Sequence, residues 1–294
     1  SDGNPSSVYS FASKNKDAVT GQREVIARAL GAKSNEIYFT AGGTESDNWA
    51  LKATAEAYAS RGKHIITTAV EHPAVSAPLA YLTELGFQVS VLPVNRMGTV
   101  SLKDLEDALR EDTILVSTMF VNNEIGSLQP VEEIGKLLKD KAPGVVYHVD
   151  AIQAFGKYRI FPKKLGIDLL AVSGHKIHGP KGTGILYINE KCRIRPLILG
   201  GGQQKNMRSG TDNVPGIAGL GAAAEEIYRD FDRKIPKLYE LKGYFRGQLE
   251  GIADAVIHGM DTKQGAPHIV NASFLGVRSE VLLHTLEEKG IYVS

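Results

Sequence analysis

Between Glu36 and Ile188 the chain alternates short β-rich runs with segments of helical spacing, and no other feature restricts its fold as strongly. The runs are Glu36–Thr40, His64–Thr68, Gln88–Leu92, Ile114–Met119, Val145–Asp150, Leu169–Ser173 and Gly184–Ile188. Between most of them apolar residues recur three and four apart, as in Val75, Leu79, Leu82 and Leu85 or in Leu102, Leu105 and Leu109. That period lays one side of a helix on a core. Such alternation predicts an α/β domain whose mostly parallel, seven-stranded sheet is flanked by helices. Ligands of such sheets bind beyond the carboxyl ends of the strands. The residues after each run are therefore where chemistry is expected.

Beyond the seventh run, Gly200–Gly202 and the polar residues through Asp212 form a long loop, followed by helical segments at Val214–Phe231 and Lys234–Leu249. From Ala255 onward the pattern reads strand, strand, helix, strand, clearest at Ile269–Phe274 and Ser279–Glu288. The expected division is a large domain over residues 1–230 and an incomplete, smaller C-terminal α/β domain over 231–294. Charge narrows the partners: 34 Lys+Arg against 33 Asp+Glu leave +1, which gives no whole-chain attraction to nucleic acid or acidic membrane. Apolar runs such as Ile114–Val121 fall far short of the roughly 20 residues of a spanning helix, and no charged-then-apolar leader opens the chain. The single cysteine, Cys192, permits neither an internal disulfide nor a cysteine-cluster metal site. A cytoplasmic protein with no nucleic acid, membrane or metal partner is expected.

Five strand ends carry reactive or ligand-binding residue types. After the first comes Thr40-Ala41-Gly42-Gly43-Thr44-Glu45-Ser46, ahead of a helix expected near Asn48. Glycines there let backbone N–H groups converge on an anion such as phosphate; the plainer reading makes Thr44 or Ser46 a helix N-cap. Glu71-His72-Pro73 follows the second run, and Pro73 holds His72 extended, where its ring can stack on a flat cofactor or simply cap the strand edge. Asn122-Asn123-Glu124-Ile125-Gly126 follows the fourth run, as ligand groups or as a turn. The fifth ends in Asp150, with Gln153 three residues on; the carboxylate suits a protonated heterocyclic nitrogen or a helix N-cap. Ser173-Gly174-His175-Lys176 follows the sixth. A lysine there can form a Schiff base once its amine is unprotonated, and Ser173 and His175 can donate to phosphate oxygens. Lys181, nearby, is an ordinary solvated loop lysine. Together these residues describe a pyridoxal phosphate site, with a lysine, an acidic partner for the pyridine nitrogen and a helix N-terminus for the phosphate.

The run of motifs Gly3-Asn4-Pro5-Ser6-Ser7, Ala41–Asn48, Glu71-His72-Pro73-Ala74, Val121–Gly126, His148-Val149-Asp150-Ala151-x-Gln153, Ser173–Lys176 and Arg208–Pro215 resembles, in the same order, the NifS/IscS-type cysteine desulfurases. These are fold-type I enzymes of the class V aminotransferase group, and the resemblance spans nearly the whole chain. It implies that Lys176 carries pyridoxal 5'-phosphate as a Schiff base and that Asp150 pairs with its pyridinium nitrogen. Asn123 and Gln153 would lie near the phenolic oxygen, with Asn123 also facing the substrate, and His72 would stack on the ring. Gly43, Thr44, Ser173 and His175 would hold the phosphate, helped by Thr211 from the second subunit of a homodimer. The implied reaction converts L-cysteine to L-alanine and leaves a persulfide for delivery to an iron–sulfur scaffold or another sulfur acceptor protein.

Family members carry the nucleophilic cysteine on a loop just beyond the segment matching Gly290–Ser294. That loop, the opening strand and a later substrate-clamping arginine lie outside these 294 residues, so the chain is expected to be a truncated form. Cys192 follows the seventh run, on the side away from the gathered strand ends; Lys191 and Arg193 favour a lowered thiol pKa, its position an ordinary edge cysteine. Arg208 is a candidate anion binder or a solvated loop residue, and Tyr9 stands where the family often has His. The competing expectations are another class V aminotransferase or lyase, and an inactive scaffold or dimerisation form.

Overall fold

The computed structural model describes residues 10–294; the Gly3–Ser7 motif and Tyr9 lie outside the described residues. After helix α1 (Ser10–Leu30) come β1 (Ile37–Thr40), α2 (Gly43–Tyr58), β2 (His64–Thr68), α3 (Pro73–Glu84), β3 (Gln88–Leu92), α4 (Leu102–Ala108) and β4 (Thr113–Met119). Next are α5 (Val131–Lys141), β5 (Val146–Asp150), the short α6 (Pro162–Leu165), β6 (Leu169–Ser173) and β7 (Gly184–Ile188). Two long helices follow, α7 (Val214–Arg229) and α8 (Phe231–Glu250), then β8 (Ala255–His258), β9 (Asn271–Phe274) and α9 (Ser279–Glu287).

The first seven strands form one sheet in the order β1-β7-β6-β5-β4-β2-β3. Only β7 runs antiparallel, between β1 and β6, and the other pairings are parallel. Strands β2, β4, β5, β6 and β7 are buried at every residue, because helices cover both faces and leave no solvent side for polar alternation. Successive side chains therefore feed two cores. On one face Val116, Tyr147, Leu170 and Val172 pack with Ile26 and Leu30 of α1, Ile134 of α5 and Leu220 of α7. On the other, Leu115, Val146, Leu169 and Leu186 pack with Trp49 and Leu51 of α2 and with Val75 and Leu79 of α3.

Every expected strand of this sheet is present within a residue of its expected bounds. Three local expectations change. Helix α2 begins at Gly43 rather than near Asn48, α8 at Phe231 rather than Lys234, and residues 291–294 form no strand. In the C-terminal part β8 pairs only with β9, in an antiparallel two-stranded sheet.

Candidate active site at the carboxyl edge of the sheet

Register gathers the motifs. Thr40 lies opposite Gly184, and Gly184 opposite Ser173; Asp150 lies between Ala171 and Met119. The ends of β1, β4, β5 and β6 thus form one edge. Gly43 and Thr44 open α2 beside it, His72 caps α3, Asn123 follows β4, Gln153 sits in the turn after β5, and His175 and Lys176 occupy a 3-10 turn after β6. Thr211 is exposed on the loop before α7.

Because α2 starts at Gly43, Thr44 and Ser46 are first-turn residues and not its N-cap. Gly42 is the cap, at φ 148°, with no capping side chain. The first-turn N–H groups have no intrahelical acceptors and present positive partial charge. A side chain at Gly43 would meet Ile152 Cδ1 at 2.1 Å and Ser173 Cβ at 3.4 Å, so glycine lets this turn close against the ends of β5 and β6. Ser46 Oγ, 2.8 Å from Thr40 Oγ1 and 3.0 Å from the Ile185 carbonyl oxygen, fastens the turn to its strands. Ser173 Oγ lies 2.7 Å from His175 Nδ1. Arg208 is neither solvated nor an open anion binder: its guanidinium donates twice to the Glu45 carboxylate, at 2.9 and 3.2 Å.

Asp150 is buried, and its Oδ1 accepts the Ile152 N–H at 2.9 Å. It makes an Asx turn and not a helix N-cap, since no helix follows. Burial, reinforced by Asp47, pushes its carboxyl up to about 7, while His148 and His72 pull against that rise. Behind it the hydroxyl of Ser117 meets His148 Nδ1 at 2.8 Å, and His148 Nε2 stands 3.3 Å from Asp47 Oδ1. That second contact is not aligned for a hydrogen bond, and neither Asp47 oxygen has one. Burial drives the Asp47 carboxyl well up and the His148 imidazole down to about 4. Glu71 accepts from Thr68 Oγ1 at 2.5 Å and from the Met119 N–H at 3.0 Å, but its Oε2 is orphaned. Burial lifts it to about 8.

Asp47 and Asp150 thus both act on Glu71, and Asp47 on Asp150, within one cluster of buried carboxyl groups, and no lysine or arginine among the described residues forms an ion pair with any of the three. Asp47, Glu71 and His148 were missed as members of this site. The spacing of His148 and Asp150, two apart on one strand, puts them on the same face and was the available signal.

Lys176 projects from a turn anchored by Lys157, whose buried Nζ donates to the Lys176 carbonyl oxygen at 2.8 Å. Desolvation, with Lys176 adding to it, lowers Lys157 to about 8. The exposed His72 accepts the Ala74 N–H on Nδ1 at 3.0 Å, which makes Nε2 the protonated nitrogen of its neutral ring. The two asparagines divide their tasks. Asn122 is buried and its Oδ1 accepts the N–H groups of Glu124 and Ile125, both at 2.9 Å, which builds the turn. Asn123 keeps an amide on the open side, bonded to Glu124 Oε1 at 2.6 Å. Gln153 Oε1 meets His268 Nε2 at 3.2 Å.

Cys192 lies at the opposite sheet edge, past the end of β7 and within a pocket that includes Tyr38, Asn189 and Ile194. Burial, then Asp168, raises its thiol to about 12, so the lowering that Lys191 and Arg193 favoured does not occur and the cysteine is the unreactive one that its position favoured. Those neighbours do not offset the loss of water around the sulfur.

The aminotransferase class-V family model matches residues 1–294. The chain belongs to the class V aminotransferases. Within that family it is 46% identical over 293 residues to "Cysteine desulfurase IscS" of Dictyoglomus turgidum, covering 99% of this chain and 74% of the relative. It is 47% identical over 292 residues to the protein of the same name from Methanosarcina thermophila, covering 99% and 72%. A solved structure titled "NIFS-LIKE PROTEIN" superposes with a TM-score of 0.96 at 40% identity, over 99% of this chain and 79% of that one. Class V aminotransferases and the cysteine desulfurases among them use pyridoxal phosphate. The residues present fit it: a buried Asp150 short of a cation, a glycine-opened helix N-terminus, and a lysine between them. None of the described helices is long and apolar enough to cross a membrane.

Proposed function

We propose that this chain is a pyridoxal phosphate-dependent cysteine desulfurase that converts L-cysteine to L-alanine and passes the sulfur to a thiol as a persulfide. The observation that carries the reading is Asp150, buried at the end of β5 without a basic partner and on the same sheet edge as Gly43 after β1 and Lys176 after β6. Likeness to relatives named cysteine desulfurase directs the substrate.

Each residue has a physical task. Lys176 is the attachment amine. Asp150 holds the proton of the ring nitrogen, since a cation there turns a costly buried carboxylate into one half of an ion pair. The first turn of α2, with Gly43 and Thr44, receives the phosphate together with Ser173 and His175, and Thr211 completes that set from a second subunit of a homodimer. His72 lies against the ring, oriented by the Ala74 N–H. Asn123 and Gln153 direct amides at the phenolic oxygen, and Asn123 also faces the substrate. When bound, pyridoxal phosphate supplies an electron sink for the bond broken at the substrate carbon.

The sulfur step balances as L-cysteine plus a thiol giving L-alanine plus a persulfide. Cys192, the only cysteine in the 294 residues, is at the wrong edge and too deeply buried to serve, so the accepting thiol lies outside them. A sulfur acceptor protein of iron–sulfur cluster assembly is the proposed destination, in the cytoplasm. The proposed domain division is 1–230 and 231–294, supported by the separate sheets and by the break between α7 and α8 at Asp230.

Borohydride reduction of the protein loaded with pyridoxal phosphate, followed by peptide mapping, is expected to place the adduct on Lys176. L-Cysteine with dithiothreitol as acceptor is expected to yield alanine and sulfide in equal amounts. An adduct elsewhere, or none, refutes the cofactor assignment, and an adduct on Lys176 without alanine refutes the substrate.

A further inference from the structure

The segment from Gly265 to Asn271, beyond α8, docks onto the carboxyl edge of the large sheet. The Ala266 N–H donates to the Gly126 carbonyl oxygen at 2.8 Å, and the Asn271 amide donates to that of Glu124 at 3.3 Å. Buried Lys242 of α8 donates from Nζ to the Ala266 carbonyl oxygen at 2.6 Å. Ile269 packs so closely on Gly126 that a side chain there would meet its Cβ at 3.1 Å. This strap places His268 over Gln153, with His268 Nε2 at 3.2 Å from Gln153 Oε1.

The chemistry of that contact is directional. An amide oxygen only accepts, so Nε2 of the imidazole must carry the hydrogen. His268 Nδ1 is then the bare nitrogen, and it is buried with no partner. Desolvation, with Lys157, Lys242 and Lys176 adding to it, depresses the ring to about 4, so the imidazole stays neutral and in that tautomer at pH 7. With its oxygen engaged, Gln153 turns its two amide hydrogens the other way.

We propose that His268 is a positioning residue, which fixes the Gln153 amide with its N–H groups toward the phenolic oxygen of pyridoxal phosphate. This rests on the reading under Proposed function. It makes the C-terminal segment a working part of the cofactor site, joined to it across 115 residues of sequence.

Cofactor titration followed by visible absorbance tests it without reference to turnover. His268→Phe keeps a ring of similar bulk and removes the donor. It is expected to weaken pyridoxal phosphate binding about fivefold, the worth of one hydrogen bond, and to shift the visible band of the loaded protein. His268→Gln restores an N–H donor and is expected to return both toward wild type. In a Gln153→Ala background, His268→Phe is expected to change neither. Unaltered affinity and spectrum in His268→Phe overturn the proposal, as does an undiminished effect in the Gln153→Ala background. If His268→Phe does not fold, a His268→Gln protein as impaired as Gln153→Ala overturns it, and one matching wild type supports it. Failure of the wild type to form a reducible adduct on Lys176 overturns the cofactor reading itself, and this proposal with it.

Discussion

Glu36 and Asp150 are both buried carboxylates beside the same sheet, one at each edge, yet their surroundings are opposite. Glu36, just ahead of β1, is wholly buried, and Lys163 Nζ stands 2.9 Å from its Oε2. The N–H groups of Lys33 and Glu190 donate to it as well, at 2.8 and 3.1 Å. Asp150 has one backbone donor and no cation, and it shares its end of the sheet with the under-bonded Asp47 and Glu71. A satisfied buried charge ties elements together. An unsatisfied one marks a place kept for an incoming group. The amino edge is therefore structural and the carboxyl edge is the one proposed to carry the chemistry, although both are built from the same residue types.

The largest effect expected at the carboxyl edge comes from Lys176→Ala. It should abolish the borohydride-fixed adduct and lower alanine formation by at least about 10³-fold, near the top of the range for a positioned proton-transfer group; a retained adduct would break the comparison at its centre. Asp150→Asn should fold and still bind phosphate at α2, but lose about 10²-fold in rate, because an amide cannot stabilise a buried cation.

The third expectation concerns pH. Asp150 and Glu71 are raised to about 7 and about 8 from unfolded values near 4, so between those limits the folded chain holds protons that the unfolded chain has released. The cofactor-free protein should therefore lose thermal stability as pH rises from about 5 to about 8. Asp150→Asn or Glu71→Gln should flatten that slope, and scanning calorimetry across the interval checks it. At the amino edge, Glu36→Gln should leave cofactor binding unchanged while lowering stability by about 1–3 kcal/mol through one lost charged bond, measured by urea unfolding. The smallest effect belongs to Cys192→Ala: no change in alanine formation with dithiothreitol, and about 1 kcal/mol of stability lost with its buried sulfur.

Much of this was legible before any coordinates. Strands such as Leu169–Ser173 announce themselves as short β-rich runs, and Asp150 and Lys176 stand where such runs end. Arg208 was less legible, because its partner Glu45 lies 163 residues away. The start of α2 at Gly43 was also hidden, since close packing against Ile152 and Ser173 decides it and not any capping side chain. His268 had no signal at all: it sits in irregular backbone, with neither period nor motif around it.

Local periodicity and turn chemistry, which act over a few residues, were enough for the amino-acid order to specify the seven strands, the parallel α/β layering and the edge on which the chemistry gathers. Which buried carboxylates find partners, which histidine meets Gln153 and whether Cys192 reaches water belonged to the folded molecule. Hydrogen-bond satisfaction and desolvation depend on groups that folding brings together from distant parts of the chain.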